Sequence, residues 1–97
     1  MIFVTVGTHE QPFNRLVKKV DDLVAHGNIK EKVIIQTGFS TYNANHCEAH
    51  KMMSFDEMQQ ALKDARIVIT HGGPSSFIEA LQFGKVPIVV PRRQEYN

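Results

Sequence analysis

The sequence predicts a small α/β domain with a Rossmann-like parallel sheet and helices on both of its faces. Short uncharged runs rich in β-branched residues alternate with segments of helical periodicity. Such alternation requires crossover connections between parallel strands. The chain has 97 residues, enough for one core, so we interpret residues 1–97 as a single domain.

Each element of the expected order β-α-β-(β)-α-β-α-β is indicated by a local pattern. Except for a weaker third strand, the strand segments are short and apolar, as is typical of strands buried on both faces. The helical segments repeat apolar residues every three or four positions. In chain order we expect a strand at 2–6, a helix at 11–26, strands at 33–35 and 46–53, a helix from 54, a strand at 67–69, a helix at 74–83 and a strand at 86–90.

The helix ends carry their own signals. Pro12 suits a first helical turn, and Gly27 or Asn28 suits the stop of the same helix. Ser54 and Glu57 form the S-x-x-E pattern of a capping box. Gly84 is the expected stop of the third helix. In that third helix, the residues expected to face the core are Phe77, Ile78 and Leu81.

The segment after the last strand, 91–97, turns polar and contains no closing helix. A doubly wound domain normally covers that face of its sheet with a helix. The sequence therefore predicts a domain that is truncated at its C-terminus relative to a complete fold.

Composition excludes several classes of function. The formal net charge is +1, which argues against a nucleic-acid partner. No apolar run approaches the roughly 20 residues of a membrane span, and the start lacks the pattern of a signal peptide. The single cysteine, Cys47, fits a reducing compartment. We therefore expect a cytoplasmic protein that reaches a membrane only through a partner.

Two polar loops follow predicted strands, and their composition suits ligand binding. One is Gly-Thr-His-Glu-Gln at 7–11, and the other is His-Gly-Gly-Pro-Ser-Ser at 71–76. Ligands of open parallel sheets bind outside the carboxyl ends of the strands. If the two strands are neighbours, both loops face one crevice.

The second loop has the chemistry of a phosphate site. Gly72 and Gly73 allow close backbone approach, and the first turn of the following helix offers N–H groups and the hydroxyls of Ser75 and Ser76. Glu79, one turn further in, is placed to accept hydrogen bonds from ribose hydroxyls. The alternative is ordinary helix capping by Gly and Ser, with a solvated Glu79. Neither loop has the G-x-G-x-x-G or Walker A pattern that would support NAD or ATP.

Three further groups of residues leave alternatives open. His9 and Glu10 form a pair in which either side chain is a candidate general base; alternatively, His9 lines the crevice, or both residues cap the following helix. His71 either polarises a phosphate or packs behind the glycine turn. Arg92 and Arg93 either balance diphosphate charge or are solvated.

A metal site is weighed against ordinary surface histidines in the third strand. The residues concerned are His46, Cys47, Glu48 and His50. The region lacks a second cysteine, and the spacing of a structural zinc site is absent. We expect no metal there and no cofactor, and the chain has no acidic D-x-D motif.

Two segments, "MIFVTVGTHEQPFNRLV" and "SFDEMQQALKDARIVITHGGPSSFIEALQFGKVPIVVPR", resemble the glycosyltransferase family 28 C-terminal domain over nearly the whole chain. The closest resemblance is to small donor-binding subunits of split GT-B glycosyltransferases. These include the catalytic subunit of dolichol-linked N-acetylglucosamine transfer and bacterial subunits of exopolysaccharide or capsule synthesis. The resemblance implies the C-terminal half-domain of a GT-B fold. Relatives continue past the last strand with a segment that contacts the donor sugar, and this sequence stops where that segment begins.

By this resemblance, Gly7 and Thr8 lie near the diphosphate of a UDP-sugar, the segment 72–76 cradles it, and Glu79 binds the ribose. The implied activity is that of a hexosyltransferase that works with a membrane-anchored acceptor-binding subunit on a lipid-diphosphate-linked sugar. Two alternatives stay open. One is a non-catalytic interaction module that oligomerises, and the other is a UDP-sugar epimerase-like half-domain.

Overall fold

The computed structural model describes residues 1–6, 13–71 and 74–90, with 74–77 described by their backbone alone. Strands and helices alternate in the order that the sequence predicts. The elements are β1 (Ile2–Thr5), α1 (Asn14–Ala25), β2 (Val33–Gln36), β3 (Glu48–His50), α2 (Phe55–Asp64), β4 (Ile67–Thr70), α3 (Pro74–Gln82) and β5 (Ile88–Val89). The third and fifth strands are shorter than predicted. In the case of β3, this is because the polar residues that flank the strand belong to loops.

The described strands form one parallel sheet in the order β3-β2-β1-β4-β5. Thr5, the last residue of β1, lies opposite Gln36 of β2 on one side and opposite Thr70 of β4 on the other. The chain runs outward from β1 through β2 to β3 and then returns to the far side of β1. The strand order therefore reverses between β1 and β4, and the carboxyl ends of these two strands form the topological switch point.

The core has two halves because successive side chains of a strand point to opposite faces of the sheet. Val4 of β1 belongs to the half covered by α1, together with Phe13 and Val17. Phe3 belongs to the other half, where Leu62 of α2 and Ala80 of α3 pack. The predicted α/β class, with helices on both faces of a parallel sheet, is thereby confirmed.

Local signals mark the start of α2 and the ends of α1 and α3, whereas α1 begins at Asn14, two residues after Pro12, so Pro12 is not in its first turn. The capping box at α2 is formed: the Glu57 backbone N–H donates to Ser54 Oγ at 3.1 Å, and the Ser54 backbone N–H donates to Glu57 Oε1 at 2.9 Å. Gly27 and Gly84 follow α1 and α3 with φ angles of 77° and 73°. A residue with a Cβ rarely adopts this conformation, which explains the two predicted stops.

The predicted core face of α3 was wrong for two of its three residues, and the side chain of the third, Phe77, lies outside the described part of the structure. Ile78 and Leu81 are 54% and 47% exposed, whereas Ala80 is fully buried. Ala80 and Phe83 pack against the cluster that contains Leu62. Successive side chains of a helix are rotated by about 100° around its axis. Because Ala80 faces the core, Leu81 points to the side of the helix. The small Ala80 side chain occupies the place that we had expected larger side chains to fill.

Candidate functional site

The two polar loops start from adjacent points of the sheet. Thr5 and Thr70 are paired across β1 and β4, and the His71 backbone N–H donates to the Thr5 carbonyl at 3.2 Å. The two loops were expected to face one crevice if the strands before them were neighbours. These strands, β1 and β4, are neighbours in the sheet. Several residues predicted to bind a ligand in this crevice lie outside the described part of the chain. They are Gly7, Thr8, His9, Gly72, Gly73, Arg92 and Arg93.

The N-terminus of α3 lies at this edge of the sheet. The helix begins at Pro74, and Ser75 and Ser76 are in its first turn. No acidic residue occurs in that turn. The backbone N–H groups at the start of a helix have no intrahelical acceptor and carry partial positive charge. The end of α3 that faces the switch point is therefore suited to an anion.

Glu79 connects α3 to α2. Its Oε2 accepts a hydrogen bond from Gln59 Nε2 at 2.6 Å, and both side chains are half-buried. A helical carboxylate held by an amide has fewer accessible rotamers than one in free solution. Glu79 is thus a preorganised acceptor, one turn inside the helix whose N-terminus faces the switch point.

His71 is half-buried at the end of β4. Its backbone N–H is held by the bond to the Thr5 carbonyl. Gly72 and Gly73 lie outside the described residues, so both alternatives for His71 stay predictions.

Gln36 is a positioning residue that the sequence interpretation missed. It is buried at the end of β2, where its Oε1 accepts from Thr5 Oγ1 at 2.8 Å and its Nε2 donates to the Lys51 carbonyl at 3.0 Å. One side chain therefore ties together the ends of β1, β2 and β3. The available signal was a Gln directly after a buried apolar run, since a polar side chain is buried there only with partners.

Three of the four residues considered for a metal make polar contacts: His46 with Asp21, and His50 with Glu48 of the same group. His46 Nδ1 lies 3.3 Å from Asp21 Oδ2, and His50 Nε2 lies 2.7 Å from Glu48 Oε2. Within residues 1–6, 13–71 and 74–90, no group of three His, Cys, Asp or Glu side chains is placed to hold a metal ion.

Asp21 is a buried carboxylate on α1 that fixes the segment before β3. Its Oδ1 accepts from the His46 backbone N–H at 2.8 Å. The Cys47 thiol lies beside the same carboxylate. Burial, the negative charge of Asp21 and a hydrogen bond to it raise the pKa of Cys47 from 9.0 to about 11. The neutral thiol is the favoured form, which argues against Cys47 as a nucleophile.

We expect iodoacetamide to alkylate Cys47 at pH 8 about 100-fold more slowly in the folded chain than in urea, because a pKa raised from 9.0 to about 11 reduces the thiolate by that factor. The chain has one cysteine, so mass spectrometry gives the rate directly. Asp21→Asn removes the charge while keeping the side-chain shape, and it should speed alkylation of the folded chain several-fold. Equal rates in folded and unfolded chains would contradict the raised pKa.

An open parallel sheet with a helix N-terminus at its switch point defines the class of nucleotide-binding α/β domains. The family model of the glycosyltransferase family 28 C-terminal domain matches residues 1–97, and the chain belongs to this family. This domain carries the donor-binding function of glycosyltransferases, so its ligand is a nucleotide-sugar. Comparisons with curated proteins and with solved structures gave no significant match. Across the described ranges, none of the helices has the length and apolar character needed to span a membrane.

Proposed function

We propose that this chain binds a UDP-sugar and is the catalytic subunit of a hexosyltransferase. It transfers a hexose or N-acetylhexosamine to a sugar linked to a lipid diphosphate. A separate membrane-anchored subunit binds the acceptor and holds the chain at the cytoplasmic side of the membrane. The observation that carries the donor assignment is the adjacency of β1 and β4, with the N-terminus of α3 at their carboxyl ends and Glu79 one turn inside.

The donor lies across this edge of the sheet. Its diphosphate occupies the switch point, between the segment that contains Gly7 and Thr8 and the N-terminus of α3 at Ser75 and Ser76. The Glu79 carboxylate accepts from the ribose hydroxyls on the side of α3 that faces α2. A diphosphate alone offers no hydrogen-bond donor to a carboxylate at this position, whereas a nucleoside diphosphate offers the hydroxyls of its ribose.

Transfer depends mainly on electrostatic stabilisation of the leaving UDP. As the bond between the sugar and the diphosphate breaks, negative charge grows on the diphosphate, and the N–H groups at the start of α3 stabilise it. His9 is the candidate base that takes the proton of the acceptor hydroxyl.

Exposed apolar side chains support the need for a partner. Ile78 and Leu81 on α3 are about half exposed, and Val86, before β5, is 83% exposed. Exposed apolar side chains of this size also occur at protein–protein interfaces. The same side chains also suit the alternative in which the chain oligomerises as a non-catalytic module. Light scattering of the chain alone, together with donor turnover in the presence of the acceptor-binding subunit, separates the two functions.

Isothermal titration calorimetry of the chain with UDP tests the donor assignment. We expect one molecule of UDP to bind per chain and UDP to bind more tightly than uridine, because the diphosphate supplies the contacts to the α3 N-terminus. The chain with its acceptor-binding subunit is the second sample. Absence of UDP binding in both samples would reject the proposed function.

A further inference from the structure

The start of α1 is bonded to the loop between β2 and β3. Phe13 occupies the cap position of this helix, and its side chain has no atom that can accept a hydrogen bond. Its backbone N–H donates to Ser40 Oγ at 2.9 Å. The first N–H groups of a helix lack intrahelical acceptors. Ser40 therefore supplies, from a neighbouring loop, an acceptor at the point where α1 begins.

Asn14, the first residue of α1, makes three hydrogen bonds to the same loop. Its Oδ1 accepts from the backbone N–H groups of Thr41 and Tyr42, at 2.7 Å and 3.1 Å. Its Nδ2 donates to Thr41 Oγ1 at 2.9 Å. The amide thus uses both its acceptor and its donor, on residues 27 and 28 positions away in the chain. An asparagine often bonds to its own local backbone, whereas Asn14 joins two separate segments.

The loop that receives these bonds is itself fixed at both ends. Near its start, the Gly38 backbone N–H donates to the Lys51 carbonyl at 2.9 Å. Near its end, the His46 backbone N–H donates to Asp21 Oδ1 at 2.8 Å. Asp21 follows Asn14 by about two helical turns, so the two side chains lie on the same side of α1. The loop therefore lies along α1 and is held at its start, its middle and its end.

The segment 7–12 connects β1 to α1, and the residues that flank it are bonded to one continuous part of the chain. Before it, the Val6 backbone N–H donates to the Gln36 carbonyl at 3.2 Å. After it, Phe13 is bonded to Ser40, four residues beyond Gln36. The segment itself lies outside the described residues. Its two end points are set by the end of β2 and the loop that follows, and fixed ends reduce the conformations open to a short segment.

We propose that Asn14 is a positioning residue for the donor diphosphate. The proposal rests on the proposed function, in which the diphosphate lies beside the segment that contains Gly7 and Thr8. Asn14 acts without touching the donor: with Ser40, it holds the start of α1 against the loop and so fixes one end of that segment. A preorganised segment loses less entropy when its ligand binds. The ribose contact proposed at Glu79 belongs to α3, on the opposite face of the sheet, and does not depend on Asn14.

The test compares the binding of UDP and of uridine to the full chain and three variants by calorimetry. Asn14→Ala removes all three bonds to the loop, and Ser40→Ala removes the acceptor of the Phe13 N–H. The control is Val24→Ala, which shortens a half-buried side chain of α1 that packs on the same half of the core. It lowers the stability of the domain without removing a hydrogen bond to the loop. Urea denaturation measures the stability of each variant.

We expect N14A to lower the affinity for UDP about tenfold and to leave the affinity for uridine unchanged, because a small displacement of binding groups suffices for such a loss. S40A should act in the same direction, and V24A should change neither affinity. The role of Asn14 is overturned if N14A and V24A bind UDP equally well, or if N14A loses affinity for UDP and uridine by the same factor. In both cases the wild-type chain still binds UDP, so the proposed function stands. If the wild-type chain binds no UDP, alone or with the acceptor-binding subunit, the proposed function fails and the positioning role fails with it.

Discussion

Glu79→Ala is expected to weaken UDP binding by about 10- to 100-fold, which corresponds to about 1.5–3 kcal/mol for hydrogen bonds to a charged group. Removal of the carboxylate takes away the proposed acceptor of the ribose hydroxyls. The affinity for inorganic pyrophosphate should not fall and should rise slightly, because a negative charge near the anion site is lost. Calorimetry with both ligands on the same variant measures the two effects, which have opposite signs.

Two variants separate the ribose contact from the structural role of Glu79. Gln59→Ala removes the amide that donates to Glu79 Oε2, so it should cost less UDP affinity than Glu79→Ala if Gln59 acts through orientation. The second is Glu79→Gln, which keeps the shape of the side chain and removes its charge. For Glu79→Ala, 2′-deoxy-UDP and UDP should bind with nearly equal affinity. Equal losses of UDP and pyrophosphate would show that Glu79 supports the helix and does not bind ribose.

The sequence predicted the order of the elements because local chemistry determines it. Uncharged β-branched runs identify strands, and Ser54 with Glu57 identifies the start of α2, without reference to the rest of the chain. The pairing of β1 with β4 depends on contacts between residues more than 60 positions apart, such as Thr5 and Thr70. The sequence alone therefore could not establish that β1 and β4 are neighbours. The structure shows that they are.

The errors and omissions have a common physical origin. Ile78 and Leu81 are as hydrophobic as core residues, yet it is the small Ala80 that packs in the core. The space between helix and sheet limits the size of the side chain that fits there, so hydrophobicity alone does not identify the buried residue. Gln36 looks like the start of a polar loop, yet its partners Thr5 and Lys51 are distant in sequence. The same holds for Glu79, whose bond to Gln59 is a contact between two helices.

Gln36→Leu is expected to lower the free energy of unfolding by about 1–3 kcal/mol, because the Thr5 hydroxyl loses a buried acceptor. Gln36 is 3% exposed, and Thr5 is also buried. The Lys51 carbonyl keeps the bond from the Gly38 N–H, so the cost arises mainly at β1. For a domain with a total stability of about 5–15 kcal/mol this is a large loss. Urea denaturation at neutral pH measures it.

A double-mutant cycle with Thr5→Val tests whether the bond between Thr5 and Gln36 carries the effect. Each single substitution leaves one buried polar group without this partner, whereas the double variant T5V/Q36L replaces both by apolar groups of similar shape. The double variant should therefore lose less than the sum of the single variants, with a coupling energy of about 0.5–3 kcal/mol. Gln60→Leu is the matched control, since Gln60 is exposed on α2 and bonds to Asp64. If Q36L costs no more than Q60L, or if T5V and Q36L are additive, the bond between Thr5 and Gln36 does not stabilise the edge of the sheet at which the donor site is proposed.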